Sequence, residues 1–240
     1  MNKMTAESFS IELYGEMLDA FNNKDYEFVD FDSVNPNRRE IVLRHDIDVC
    51  LSRAADFAEE EKRLGYKSHY FVLMTSEQYN PASQIGRICI NRILDAGHRV
   101  GLHFDAALEC QESIEKRGER EVKELSELIG SDISMVSFHR PTKKWINNPE
   151  NIFGLPHTYQ PKFFSNIGYC SDSRGGWYNG NPISNKAIKE QRALQLLTHP
   201  IWWVGPPLSP IERLESYLVE SQKRIKADLN QNITLLKNNT

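Results

Sequence analysis

Polar side chains that can bind a metal ion or transfer a proton stand at the ends of several short apolar runs in this sequence. These residues are His45, Asp46, Asp48, His103, Asp105, His139, Arg140, Asp172 and His199. A desolvated histidine or carboxylate needs a polar partner, so several apolar runs that all end in this way favour one shared polar site over isolated core positions. Taken singly, each residue also fits a hydrogen-bonded structural role.

Aspartate and histidine together are the ligand types of a catalytic divalent metal site. A catalytic Zn²⁺ or a similar ion uses such protein ligands and keeps one coordination position open for water and a substrate oxygen. The sequence therefore predicts a hydrolytic metal site, provided that the fold brings these side chains together.

The segments between the polar residues predict alternating strands and helices. Short apolar runs alternate with stretches of helical period from about residue 41 onward, which is typical of βα units. The predicted strands are 41–43, 69–74, 98–104, 133–139, 167–172 and 193–199. The predicted helices run from Glu7 to Phe21, from Leu51 to a stop at Gly65, over 111–129, and from Pro210 to about Leu236. A further helix is predicted to carry Ile85, Ile88, Cys89 and Ile93 on one face and to end at Gly97.

Repeated βα units predict a parallel sheet, either open and doubly wound or closed into a barrel. The carboxyl ends of parallel strands lie on one edge, so the polar residues should meet on one rim. No glycine-rich GxGxxG or Walker-type loop follows any of these strands, which disfavours a nucleotide-binding sheet.

The composition indicates a globular chain that forms one domain over residues 1–240, since 40% of its residues are hydrophobic and 26% are charged. The formal net charge is -4 and the basic residues are interspersed with acidic ones, so nucleic acid is not expected as a partner. No segment is apolar for long enough to cross a bilayer, and the first residues lack the features of a secretory signal. A cytoplasmic protein is therefore expected.

The motifs LRHDID, GHRVGLHFD, SFHRP, YCSDS and LLTHP resemble, in this order, those of the polysaccharide deacetylase family, also called the NodB-homology family or carbohydrate esterase family 4. The resemblance covers residues 41–203 and looks most like the divergent branch found with O-antigen and capsule biosynthesis enzymes. It implies a single domain with a distorted (β/α)7 barrel, one divalent metal ion, commonly zinc, and hydrolysis of N-acyl or O-acyl groups on sugars.

By this resemblance, Asp46 is the general base that holds the attacking water, and Asp48 is a metal ligand. The family usually has two adjacent aspartates here, whereas Ile47 separates them in this chain. The division of roles between Asp46 and Asp48 therefore stays open, although alternate residues of an extended segment point to the same side.

The resemblance also implies that His103 is a metal ligand, but Ala107 stands where the family has a second histidine. A further protein ligand has to come from elsewhere in the chain. His139 is the first candidate, with a supporting role behind a ligand as its alternative, and Asp105 is the weaker one.

The remaining motifs imply one residue that donates a proton and two that hold the catalytic groups in place. Arg140 would pair with Asp46, fix its orientation and keep it ionised. His199 corresponds to the catalytic acid, and Asp172 would orient it. In this scheme Asp46 removes a proton from metal-activated water, and protonated His199 donates to the departing amine.

These roles imply a metal-dependent amidohydrolase that removes an acetyl or formyl group from a nucleotide-linked or lipid-linked amino sugar. Trp177 and Trp202 lie just after motif residues, where aromatic rings can stack on a sugar or simply pack. A non-catalytic sugar-binding relative is one alternative, because the second histidine is missing. A metal-dependent ester or phosphoester hydrolase is another, and extra basic residues at the site would favour phosphate, but the sequence indicates only Arg140.

Overall fold

Seven parallel strands form the sheet that supports the site in this computed structural model, which describes residues 9–178 and 180–233. The strands are β1 (Glu27–Phe28), β2 (Glu40–Ile47), β3 (His69–Val72), β4 (Arg99–Asp105), β5 (Val136–His139), β6 (Gly168–Ser171) and β7 (Leu194–Thr198). Their order is β5-β4-β3-β2-β7-β6, and β1 pairs with the beginning of β2. The structure therefore confirms the predicted parallel α/β fold.

Of the seven helices in the described residues, four lie between strands along the chain, one precedes the first strand and two follow the last. They are α1 (Ile11–Asn22), α2 (Leu51–Leu64), α3 (Gln84–Asp95), α4 (Ile114–Ile129), α5 (Lys186–Lys189), α6 (Pro200–Trp203) and α7 (Pro210–Asn232). The side chain of Ser10 caps α1 by accepting a hydrogen bond from the backbone N–H of Leu13. The predicted start of this helix at Glu7 and the predicted end of α7 at Leu236 lie outside the described residues. Within the described ranges, no helix has the length and apolarity that a membrane crossing needs.

The sheet curls so that side chains from distant strands meet inside it. β3 and β4 separate β2 from β5, which would place those two strands about 14 Å apart in a flat sheet. The hydroxyl of Ser137 on β5 nevertheless donates to a carboxylate oxygen of Asp46 on β2 at 3.1 Å. Gln195 on β7 likewise donates to the backbone oxygen of Thr158, which follows β5, at 3.1 Å. The sheet is therefore a distorted barrel with a polar interior, as predicted.

The predicted inward face of α3 is right for Cys89 and Ile93 and wrong for Ile85 and Ile88. Ile85 and Ile88 are 55% and 52% exposed, and both were expected on the core side. The buried positions of this helix are Gly86, Cys89, Ile90 and Ile93. Gly86 lies against the preceding turn so closely that a Cβ atom there would come within 2.2 Å of the Asn80 backbone oxygen. This contact fixes the rotation of the helix and turns Ile85 and Ile88 to the surface.

A buried polar cluster lies between the sheet and α2, behind the rim. Because side chains alternate along a strand, His45 points away from Asp46 and towards α2. The carboxylate of Glu61 on α2 is within hydrogen-bond distance of Tyr14 (2.5 Å), Ser68 (2.6 Å), Tyr70 (2.7 Å) and His45 (3.0 Å). The expectation that His45 belongs to the rim is therefore wrong, since its ring is part of the core.

Replacing Glu61 by glutamine is expected to lower the free energy of unfolding by about 3 kcal/mol, because the buried donors lose their charged acceptor. Although burial opposes its ionisation, the His45 ring and the hydrogen bonds lower the pKa of Glu61 to about 2. This stabilisation is complete above the unfolded pKa of about 4.3 and is lost as the pH falls through 2. Urea unfolding of wild type and variant should therefore show a difference that shrinks between pH 5 and pH 2.

The matched control is Glu60→Gln on the same helix. Glu60 is an exposed partner of Arg63, so its loss should change the free energy of unfolding by less than about 1 kcal/mol. Equal losses in the two variants would contradict a stabilising role for the buried cluster.

Candidate active site

A cavity of about 290 Å³ opens on the rim formed by the carboxyl ends of the strands. Its lining includes Asp46, Asp48, His103, His139, Arg140 and His199. The cavity therefore collects most of the residues that were predicted to carry chemistry. Asp172 lies immediately behind it and contacts His199.

Three of the predicted residues converge on one point of this cavity. Asp48, His103 and His139 each offer a ligand atom, and these atoms all lie within 4.8 Å of one another. Oδ1 of Asp48 is 3.0 Å from Nε2 of His103 and 3.2 Å from Nδ1 of His139. One carboxylate and two imidazoles form a donor set suited to zinc and similar divalent ions. The three residues predicted as metal ligands are thus brought together.

The hydrogen bonds of the His103 ring indicate which of its two nitrogens is available to a metal ion. Ser137 donates its single hydroxyl proton to Asp46 and lies 3.0 Å from Nδ1 of His103. With that proton already used, the hydroxyl can only accept from His103, which assigns the ring proton to Nδ1. When the ring carries this proton alone, Nε2, the atom that faces Asp48, has the lone pair that a ligand histidine requires. The donor set therefore fits a divalent cation.

Asp46 is held by Arg44, two residues earlier on the same strand. Nε of Arg44 donates to Oδ1 of Asp46 at 2.9 Å and Nη2 donates to Oδ2 at 2.7 Å, with both side chains buried. Burial raises the pKa of a carboxyl group, but the Arg44 guanidinium overcomes this effect and keeps the pKa of Asp46 below its usual value. Asp46 is therefore an ionised carboxylate in a fixed orientation.

The predicted pair between Arg140 and Asp46 is wrong. Arg140 forms an ion pair with Asp105 instead, in which its Nε donates to Oδ1 at 3.2 Å and its Nη2 contacts the other oxygen. The position beside Asp46 is filled by Arg44, and Arg140 lies at the surface with its side chain 57% exposed. Asp105 is consequently engaged outside the Asp48 cluster, which leaves His139 as the third donor.

Sequence reasoning missed Arg44, although the sequence contains a signal for it. Arg44, Asp46 and Asp48 alternate along one extended segment, so all three face the interior of the barrel. A buried arginine at this spacing needs an acidic partner, and Asp46 is the nearest one on its face.

His199 is paired with Asp172 on the opposite side of the cavity. Nδ1 of His199 lies 2.6 Å from Oδ1 of Asp172, which also accepts from the His199 backbone N–H at 3.1 Å. The other oxygen of Asp172 accepts from Nε1 of Trp203 at 2.7 Å. Although burial disfavours the charged imidazole, the Asp172 carboxylate raises the pKa of His199 to about 9. His199 is therefore protonated at neutral pH, and its free Nε2 lies 3.6 Å from Asp48.

The two tryptophans proposed to bind substrate have different environments. Trp202 lines the cavity, as predicted. Trp177 does not, because its ring packs against Phe9 and Trp203 with centroid distances of 5.9 and 6.2 Å. The prediction for Trp177 is therefore corrected, since this side chain belongs to an aromatic packing cluster beside the site.

Comparisons with known proteins give a remote structural similarity. No family model and no curated protein sequence matches the chain. A deacetylase from Streptococcus pyogenes, PplD, solved with acetate, is 11% identical, with 90% of this chain and 88% of that chain covered and a TM-score of 0.46. The peptidoglycan deacetylase PdaC of Bacillus subtilis is 16% identical, with coverages of 83% and 98% and a TM-score of 0.44. A pseudoenzyme of carbohydrate esterase family 4 from Bacillus anthracis is 11% identical, with coverages of 79% and 63% and a TM-score of 0.42.

Proposed function

We propose that this chain is a metal-dependent amidohydrolase that removes an N-acyl group, acetyl or formyl, from an amino sugar. The observation that carries the proposal is the arrangement of an ionised carboxylate, Asp46, and a protonated imidazole, His199, around the donor cluster of Asp48, His103 and His139. A base and an acid held in opposite protonation states are what cleavage of an amide requires. The resemblance of the five motifs supports a sugar as the group that carries the amide.

When Asp48, His103 and His139 hold a divalent ion, that ion supplies Lewis-acid polarisation and lowers the pKa of water. Asp46 lies in the same cavity and accepts the proton of the attacking water. It suits this role better than Asp48, because its oxygens are fixed by Arg44 whereas those of Asp48 face the two imidazoles.

The departure of the sugar nitrogen needs a proton, because an unprotonated amine is a poor leaving group. Protonated His199 donates it from Nε2, the ring atom that is directed towards Asp48. Asp172 remains ionised behind His199, fixes the orientation of the ring and stabilises its charge.

The finer details of the substrate follow from the motif resemblance. We place the substrate among the amino sugars of surface polysaccharides such as O-antigen or capsule, attached to a nucleotide or a lipid carrier, and we propose zinc as the resident ion. Two imidazoles and one carboxylate are a ligand set that catalytic zinc commonly has.

A non-catalytic sugar-binding protein is the second candidate, because Ala107 occupies the position of the family's second histidine. The hydrogen-bonded pairs of Asp46 with Arg44 and of His199 with Asp172 disfavour it, since sugar binding alone requires neither an oriented base nor an oriented acid. Arg140, the basic residue that the sequence indicated in favour of a phosphoester hydrolase, gives no support for it, because its charge is balanced by Asp105.

Metal analysis of the purified protein separates the hydrolase from the non-catalytic sugar-binding protein. We expect about one divalent ion per chain after dialysis against a buffer without chelator, and loss of this ion in His103→Ala. Ser137→Ala should weaken metal affinity by about 10- to 100-fold, because His103 loses the group that orients it.

The activity is tested by the release of acetate or formate from N-acylated amino sugars. Release should stop when the ion is chelated and return when zinc is added. A protein that binds amino sugars, contains no divalent ion and releases neither acid would support the non-catalytic alternative and overturn the proposal.

A further inference from the structure

An arginine without an acidic partner lies at the mouth of the cavity. Arg174 lines the same cavity as Asp48 and His199. Its guanidinium carbon lies 4.6 Å from the ring centroid of Tyr178, and within the described ranges it forms no ion pair with any carboxylate. Among the described residues, none accepts a hydrogen bond from its guanidinium, so its N–H donors are available to a ligand. A cationic group at the opening of a cavity attracts an anionic part of a ligand.

The backbone holds Arg174 in a fixed relation to His199. Arg174 lies in the 3-10 turn Ser173–Gly175 with φ 61° and ψ 25°, a left-handed conformation that a residue with a side chain rarely adopts. This turn begins at Asp172, whose backbone oxygen accepts from Gly175 at 2.9 Å while its carboxylate holds His199. The guanidinium is thereby placed near the group assigned to protonate the leaving nitrogen, which is where the sugar has to lie.

Apart from His199, whose proton is assigned to the leaving nitrogen, the other charges of the cavity leave Arg174 as the group available to an anion. Arg140 lies on the same rim, but Asp105 balances its charge. Asp46 is bound by Arg44, and Asp48 faces the imidazoles of the donor cluster. Arg174, which is exposed at the mouth of the cavity, therefore attracts a negative group on the substrate.

We infer that Arg174 forms an anion subsite, which binds a carboxylate or phosphate group carried by the amino sugar. This inference rests on the proposed function and adds the charge of the substrate to it. The anion is either a carboxylate on the sugar ring or the phosphate that joins the sugar to its carrier, since a guanidinium binds both through paired N–H donors.

Three probes that share the N-acetylated sugar ring and differ in charge test the subsite with the metal-loaded protein. They are the methyl glycoside of N-acetylglucosamine, which is neutral, the corresponding 1-phosphate, and the methyl glycoside of the corresponding uronate. We expect Arg174→Gln to raise KM for at least one charged probe by about 10-fold or more, because a charge-assisted hydrogen bond is lost. Values of kcat for that probe and of KM for the neutral probe should change by less than about twofold.

Arg38→Gln is the matched control. Arg38 is an exposed arginine before β2, at the opposite end of the barrel, so its replacement removes the same charge without touching the rim. It should leave KM unchanged for all three probes. A rise in KM for charged probes in Arg38→Gln as well would show a long-range effect of net charge and overturn the subsite.

The outcomes distinguish the two anions. A change confined to the 1-phosphate assigns the subsite to the carrier phosphate, and a change confined to the uronate assigns it to a ring carboxylate. Equal changes for neutral and charged probes, or none for either, overturn the inference.

Calorimetric binding of the same probes separates this inference from the proposed function. Charged probes that bind in a manner dependent on Arg174 but release no acetate would retain the subsite and refute the hydrolase. Release of acetate from neutral and charged probes alike would support the hydrolase and overturn the subsite. A failure of both charged probes to bind would also overturn the subsite.

Discussion

Replacement of His199 by alanine is expected to lower kcat by about 10³-fold or more, while the protein keeps its divalent ion. The reason is that we propose Nε2 of His199 as the proton donor to the departing nitrogen, and Asp48, His103 and His139 as the residues that hold the metal ion. His103→Ala should instead lose the ion and the activity together. Acid release and metal content, measured on the same preparations, check both statements.

The pH dependence of kcat/KM gives a second readout of the same residue. Although burial lowers it, the Asp172 carboxylate raises the pKa of His199 above its usual value, so activity should fall at alkaline pH as His199 loses its proton. Asp172→Asn removes the carboxylate that favours the charged ring, and the alkaline limb should therefore move to lower pH. Equal metal content in the His199 and His103 variants, or an unchanged alkaline limb in Asp172→Asn, would refute these roles.

The position of the site could be predicted from the sequence because parallel strands end on one edge. Strand ends at Asp46, His103, His139 and His199 were enough to place these residues on a common rim, even though they are far apart in the chain. Helices could also be distinguished from strands, because apolar residues recur with a different period in each. The rotation of α3 about its axis could not be predicted, since it depends on the close contact of Gly86 with the preceding turn.

The partners within the site could not be predicted in the same way. Which arginine reaches Asp46 depends on how tightly the sheet curls and on which side chain fills its interior. The motif resemblance indicated Arg140, whereas strand alternation, applied to the whole of β2, places Arg44 with Asp46 and turns His45 to α2. Trp177 shows the same limit, because a loop residue next to a motif can face the core as readily as the cavity.

Replacement of Arg44 by methionine is expected to lower the free energy of unfolding by about 3–5 kcal/mol at pH 7, because it leaves Asp46 buried without its cation. The pKa of Asp46 lies below its usual value in the wild-type fold, so the pair stabilises fully above the unfolded pKa of about 3.9 and this contribution is lost as the pH falls below it. In the variant, burial favours the neutral acid, and only the nearby histidines and the Ser137 hydroxyl still favour the ionised form. The deficit relative to wild type should therefore shrink as the pH is lowered in urea unfolding.

The matched control is Arg140→Gln, which compares the contributions of Arg44 and Arg140 to the free energy of unfolding. Arg140 is an exposed partner of Asp105, so its loss should change the free energy of unfolding by less than about 1 kcal/mol. The double variant Arg44→Met, Asp46→Asn removes both charges and should recover part of the lost stability without any recovery of kcat, because the base is absent. If Arg140→Gln destabilises the protein as strongly as Arg44→Met, or if the double variant is less stable than Arg44→Met alone, Arg44 is not the residue that holds the base.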